Sequence, residues 1–255
     1  MTPMQRRYQR FPRLMFLLRR LRGVNYEREM ELLDVLCDPA KTSVDVGAKL
    51  GMYTYRLLPH SRDVVAFEPI PVLNGMLAKV FARKKVKVMP CALSGSPGRT
   101  QMRIPYGSNG EVKFGRSTVE ASNSLQHDDV AKVETIDVEL KTLDQCDLQG
   151  VGFIKIDVEG HELAVLAGAK ATLVREKPTL LIESNDHHHP DAVAKLRTLM
   201  TGHDYVGSFI EDGRLVDLAT IIDTEYFKRK SLENFIFTHA SRPEVRERLA
   251  ARFRS

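Results

Sequence analysis

From Thr42 onward, short runs rich in β-branched residues alternate with longer amphipathic stretches. That rhythm constrains the fold more than any other feature, because β-runs separated by helical ones call for parallel strands joined by crossover helices. Ser43-Val44-Asp45-Val46 reads as a first strand, followed by a glycine turn and a helix through about Leu58. Asp63 to Phe67 reads as the second strand, Pro71 to Arg83 as a helix, and Val86 to Met89 as the third strand. Gly152 to Ile156, Thr179 to Ile182, Tyr205 to Ile210 and Asn234 to Thr238 bring the sheet to seven strands, with a helix after Gly160. At 255 residues and 43% hydrophobic content, the chain suffices for one α/β domain with its own core.

The rhythm breaks between the third and fourth strands. Residues 94–130 are rich in Gly, Ser and Asn and read as an irregular insert of the kind that forms a lid over a site. Val133 to Leu140 alternates polar with apolar residues and reads as an added edge strand.

The net charge of +5 hints at nucleic acid or an anionic surface, but its location removes most of that hint. Residues 1–22 hold seven arginines and no acid, so without them the chain stands at −2. The tail 242–255 carries a further net +3, which leaves residues 23–241 at −5. Three parts follow: a basic amphipathic segment 1–24, a mildly acidic domain 25–241 and a basic tail 242–255. In the first part, Phe11, Leu14, Met15, Leu17, Leu18 and Leu21 can share one broad helical face. It reads either as a peripheral contact with an anionic inner membrane face or as an arm packing on its own domain or a partner subunit, a homodimer included. Leu14 to Leu18 is too short for a signal-peptide core. No apolar run is long enough to span a bilayer. Cys37, Cys91 and Cys146 form no CxxC pair, which excludes a zinc knuckle and suits a reducing cytoplasm.

Chemistry gathers where strands end. Asp45-Val46-Gly47-Ala48-Lys49-Leu50-Gly51 is a strand-to-helix turn whose Gly-x-x-x-Gly spacing differs from the dinucleotide fingerprint. Its glycines let an anionic ligand approach the backbone, although such turns also serve packing alone. Glu68 ends the second strand, where a carboxylate can accept from both hydroxyls of a ribose. The sharpest motif is Ile154-Lys155-Ile156-Asp157-Val158-Glu159-Gly160-His161-Glu162. Burying uncompensated charge is costly, so four ionisable groups from Asp157 to Glu162 mark either a site or a capping cluster. His161 offers a base titrating near neutrality. Glu183, at the end of the fifth strand, could join Asp157 in holding a divalent cation such as magnesium, but two carboxylates make a thin ligand set and no metal is the favoured reading. The run Asp186-His187-His188-His189-Pro190 reads as a solvated loop that can face substrate, since adjacent histidines cannot all ligate one ion.

Asp45-Val46-Gly47-Ala48-x-x-Gly51, Phe67-Glu68-Pro69, Ala92-Leu93-Ser94, Thr142-Leu143-Asp144 and Lys155 to Glu162 together resemble the FkbM family of S-adenosylmethionine-dependent methyltransferases, in the family's order, over about residues 26–239. The resemblance implies a Rossmann-like class I methyltransferase fold, with a seven-stranded, mostly parallel sheet flanked by helices and a lid or hairpin inserted between the third and fourth core strands. It implies that Asp45, Gly47, Ala48, Lys49 and Gly51 hold the methionine portion of S-adenosyl-L-methionine, Glu68 the ribose, and Cys91, Ala92 and Leu93 the adenine, with Asp157 beside the cofactor. Lys49 stands where the family usually has Asn, exchanging an amide's paired donor and acceptor for a point charge.

The expected reaction is O-methylation of a saccharide or glycolipid precursor, with a secondary metabolite as the next choice of acceptor. His161 or Asp157 would act as base, oriented by Glu159, and Glu162, Glu183, Asn123 and His187 are the expected acceptor contacts. Two other classes compete: a nucleic-acid-directed methyltransferase or binder clamping phosphates with its basic ends, which the acidic body disfavours, and a non-catalytic binding module, for which Lys49 is the only hint.

Overall fold

The structure is a computed structural model that describes residues 2–23, 26–125, 128–185, 191–221, 223 and 226–254. Eleven strands are present among these residues: β1 (Thr42–Val46), β2 (Asp63–Phe67), β3 (Val86–Met89), β4 (Ala92–Leu93), β5 (Gly98–Tyr106), β6 (Lys132–Lys141), β7 (Val151–Ile156), β8 (Thr179–Glu183), β9 (Tyr205–Glu211), β10 (Arg214–Asp217) and β11 (Asn234–His239). Ten α-helices accompany them: α1 (Pro3–Arg10), α2 (Pro12–Leu21), α3 (Leu33–Leu36), α4 (Met52–Leu57), α5 (Pro71–Phe81), α6 (Glu162–Ala167), α7 (Lys170–Glu176), α8 (Ala192–Thr201), α9 (Tyr226–Lys230) and α10 (Pro243–Ala251).

The main sheet has eight strands in the order β10-β9-β11-β8-β7-β1-β2-β3, one more than expected. All seven expected strands form. The eighth, β10, folds back on β9 through Asp212 and Gly213, whose φ values of 48° and 75° make the tight two-residue hairpin that an Asp-Gly pair favours. Strands β3-β2-β1-β7-β8 are parallel, and β11 enters antiparallel between β8 and β9. β1 and β7 are buried along their whole length, as strands covered on both faces must be. One apolar layer, with Leu33, Leu57, Leu73 and Phe81, lies under α3, α4 and α5. The other, with Val165, Leu173, Leu196 and Phe209, lies under α6, α7 and α8.

The insert departs from expectation. Val133 to Leu140 belongs to β6, which is no edge of the main sheet but the middle of a separate one ordered β4-β6-β5. The supposedly irregular stretch contains β5, antiparallel to β6 from Gly98 to Tyr106. Its period-2 signal was present in Gln101-Met102-Arg103-Ile104, where Met102 and Ile104 are buried, but the surrounding glycines and polar residues masked it.

The N-terminal segment forms two helices because Pro12 disfavours helical backbone at Phe11, which sits at φ −131°, ψ 54°. Both pack on the domain. Tyr8 is buried, and the Phe16 ring meets Tyr55 and Phe81 edge-on at 5.7 and 5.6 Å. The tail folds as α10, with Val245 and Leu249 buried. No helix among the described residues is long and apolar enough to cross a membrane.

Candidate active site

Strand register builds the site. Val46 pairs with both Phe67 and Ile156, and Ile156 with Ile182. The residues that follow, Gly47, Glu68, Asp157 and Glu183, therefore line up along the carboxyl edge of the sheet at the β1/β7 switch point, where open α/β sheets bind ligands. Gly47 is obligatory: at φ 81° a Cβ would lie 2.0 Å from the Asp157 carbonyl oxygen. Two cavities flank this turn. The larger, with ≈ 480 Å³ of empty space, is lined by Gly47, Lys49, Phe67, Glu68, Cys91, Ala92, Leu93, Asp157 and His161, with Met102, Phe114, Ser117 and Val119 arching over from the insert. The smaller holds Asp45, Gly47, Ala48, Lys49, Tyr53, Lys155 and Asp157.

Charge is concentrated on the β7 wall. Asp157 is buried, and its two carboxylate oxygens accept from Lys49 Nζ and Lys155 Nζ, each at 2.6 Å. Burial alone would raise its pKa, but the two ammoniums hold it well below the usual carboxylate range. Lys155 is itself buried, with its Nζ 4.4 Å from the Tyr53 ring centroid. Lys49 also binds Glu159 Oε1 at 2.6 Å and the Gly115 carbonyl at 3.0 Å. Its ammonium is thus engaged by two carboxylates and the insert. The carboxyls of Glu159 and Glu183 are pushed up, by burial first and by Asp157 as well.

Asp157, Glu159 and Glu183 each bring an oxygen to within 4.8 Å of the others. The set fits a divalent cation poorly, because Asp157 already serves two ammoniums through both oxygens.

On the opposite wall Glu68 is buried and, among the described residues, has no hydrogen bond from an ammonium. Its oxygens accept from the backbone N–H groups of Lys49 and Ile70, both at 2.8 Å, and burial pushes its carboxyl up to about 8. Each oxygen keeps a second lone pair. Cys91, buried, has its thiol pushed up to about 11 by desolvation, which makes it an inert wall.

His161 borders the larger cavity between two partners that sequence reasoning missed. Its Nε2 lies 2.9 Å from Ser94 Oγ, and its Nδ1 lies 3.0 Å from Glu120 Oε2. Burial works against ionisation of Glu120, but hydrogen bonds from His161 and Ser122 hold its carboxyl below the usual range. An ionised carboxylate only accepts, so Nδ1 carries a hydrogen, and in the tautomer that carries only that one Nε2 is the acceptor.

Two of the expected acceptor contacts, Asn123 and Glu162, are engaged by backbone groups. Asn123 is buried and donates to the Glu159 carbonyl at 3.0 Å while accepting from Leu125 N–H, so its amide clamps the insert to the β7–α6 turn. Glu162 is buried at the foot of α6 and accepts from Gly160 N–H at 2.9 Å, with its carboxyl raised to about 7 by desolvation, so it caps its own turn. His187, with the rest of Asp186 to Pro190, lies outside the described residues.

The donor set fits S-adenosylmethionine on two orphaned polar atoms. Asp45 Oδ1 in the smaller cavity and Ser117 Oγ in the larger are buried with no hydrogen-bond partner among the described residues. Asp45 Oδ1 suits the cofactor's amino group, and Ser117 Oγ suits a polar edge of the nucleoside.

Comparison with known proteins gives the family and the fold. The family model described as the methyltransferase FkbM domain matches residues 45–206. The methyltransferase sdnD of Sordaria araneosa is 33% identical over 158 residues, which cover 49% of this chain and 59% of that protein. The crystal structure of methyltransferase FkbM from Methylobacillus flagellatus KT superposes with a TM-score of 0.52 at 18% identity, covering 79% of this chain and 44% of that one, a likeness of fold alone. The chain thus spans under two thirds of the length of either relative.

Proposed function

Since the chain belongs to the FkbM methyltransferase domain family, we propose that it is an S-adenosylmethionine-dependent O-methyltransferase of the cytoplasm, acting on a hydroxyl of a saccharide or glycolipid precursor. Bound at the Gly47 turn, the cofactor supplies an electrophilic methyl group; the chain supplies binding, alignment and removal of the acceptor's proton. Asp45, Gly47 and Ala48 hold the methionine end, the free lone pairs of Glu68 take the ribose hydroxyls, and Phe67, Cys91, Ala92 and Leu93 flank the purine.

One observation carries the choice of a hydroxyl acceptor, the chain Glu120–His161–Ser94 at the rim of the cleft. A hydroxyl is a weak nucleophile until a base takes its proton. Glu120 fixes the ring through Nδ1, and an acceptor hydroxyl replacing Ser94 Oγ on Nε2 meets the free lone pair. Asp157, the other expected base, is set aside, since a carboxylate held by two ammoniums is a poor proton acceptor; it anchors Lys49 and Lys155, and Glu159 completes that cluster. The −5 charge of residues 23–241 suits a neutral polyhydroxylated acceptor and repels phosphodiesters.

The test is incubation with methyl-labelled S-adenosylmethionine and separated lipid-linked saccharide, small-molecule and RNA fractions. Label is expected in carbohydrate; label in RNA overturns the reading. His161→Ala is expected to lower kcat by about 10²–10⁴-fold while binding S-adenosylhomocysteine like the parent. Turnover near the parent's would remove the base assignment.

A further inference from the structure

The two basic ends of the chain differ in what the domain does with their charge. In α10 and the residues after it, Arg246 pairs with Asp217 at 3.0 Å, Arg252 with Asp34, and Arg248 donates to the Val35 carbonyl. The domain's own acids absorb that end. At the other end Arg6, Arg7, Arg10, Arg13, Arg20 and Arg22 are exposed, and none is in an ion pair among the described residues. Arg13 donates to the Lys79 carbonyl and Arg20 to the Tyr55 hydroxyl, both neutral groups.

The same helices carry most of the exposed apolar surface. Of the eight large hydrophobic residues exposed among the described residues, five are Phe11, Leu14, Leu17, Leu18 and Leu21. The four leucines stand at i, i+3, i+4 and i+7, which puts them in one stripe along α2. Phe16 faces the other way and fastens α2 to Tyr55 and Phe81. The helix is therefore apolar on two sides, one docked and one bare, with guanidinium groups between.

We propose that α1 and α2 seat the domain on an anionic phospholipid bilayer, with the leucine stripe in the acyl boundary and the arginines on lipid phosphates. Charge complementarity selects this occupant. A second copy laid on the stripe would bring two acid-free, seven-arginine segments together, and a nucleic acid offers nothing for four leucines. A groove between α1 and α5 lined by Arg6, Arg10 and Lys79 suits a phosphate headgroup. Because Tyr8 and Phe16 fix the helices to the domain, the docking face is preformed and needs no folding on contact.

Cosedimentation of the full chain with phosphatidylcholine vesicles, with and without phosphatidylglycerol, tests the proposal without reference to catalysis. Binding is expected only with the anionic lipid. Leu14→Ser with Leu18→Ser should abolish it, and Arg6→Ala with Arg10→Ala should weaken it about 30-fold, five- to sixfold for each arginine near the surface. Both pairs are exposed, so the thermal melts should match the parent's. Failure of the parent chain to bind anionic vesicles overturns the proposal, as does a dimer in sedimentation that the leucine variant dissolves without any lipid binding.

Discussion

Glu68 and Asp157 line the same cleft, both nearly inaccessible to water, yet their carboxyls are driven in opposite directions. Asp157 has an ammonium on each oxygen and is held below the usual range. Glu68 has two backbone N–H groups instead, and desolvation lifts it to about 8. Burial is common to both, so the identity of the donor decides. A full opposite charge outweighs desolvation where two neutral dipoles do not. The β7 wall is thus a fixed charge lattice, and the β2 wall a polar surface able to exchange a proton near neutrality.

Removing Asp157 should break that contrast with the largest effect. Asp157→Ala removes the carboxylate hydrogen-bonded to the buried Lys155 ammonium and leaves it the Tyr53 ring and the longer-range attraction of Glu183 and Glu27, and losing one partner of a buried pair costs about 3–5 kcal/mol. Urea denaturation should show that loss, and Lys155→Met with Asp157→Leu together should recover most of it. A cost below about 1 kcal/mol for Asp157→Ala would mean that water already reaches the pair.

The Glu68 wall should respond to pH. Its folded pKa of about 8 lies above the ordinary 4.5, so its favourable contribution is whole below pH 4.5 and drains away as pH rises to about 8. Glu68→Gln should flatten the stability profile across that window. At its acid end the variant should be less stable by about 1–3 kcal/mol, because one amide cannot accept from both Lys49 N–H and Ile70 N–H. An unchanged slope would assign the pH dependence to another group, Glu162 first, with its carboxyl raised to about 7.

How far the sequence discloses these walls follows from where each signal sits. The strand ends carrying Gly47, Glu68 and Asp157 were legible because apolar runs stop there and register does the rest. Lys155 stood in plain view between Ile154 and Ile156, and a charge inside a buried strand demands a partner, yet which carboxylate answers it depends on side-chain reach. The partners of His161 were out of local range, since Ser94 is 67 residues away and Glu120 is 41 residues away within an insert whose strand pattern was hidden. Asn123 and Glu162 read as binding groups in sequence, and their hydrogen bonds to backbone were not legible there, because a polar side chain near a tight turn finds backbone that only the fold brings within reach. The hairpin to β10 was missed by the seven-strand reading, although Asp212-Gly213 carries its turn signal.

Lys49 joins the two walls, with its backbone N–H on Glu68 and its ammonium on Asp157 and Glu159. It is also strained, at φ 50°, in the left-handed region where a lysine costs about 1–2 kcal/mol and Asn is better tolerated. Lys49→Asn should therefore have the smallest effect on stability. It relieves the backbone but removes a partly exposed ammonium, and Asp157 keeps Lys155. The two changes offset, and denaturation midpoints should put the variant within about 1 kcal/mol of the parent. Calorimetry should separate what stability does not: an amide offers the donor and acceptor that a paired lysine withholds, so S-adenosylmethionine should bind about fivefold tighter. If Lys49→Asn instead destabilises the fold as much as Asp157→Ala, the cation that holds Asp157 is Lys49, and the charge lattice reaches across the cleft to the Glu68 wall.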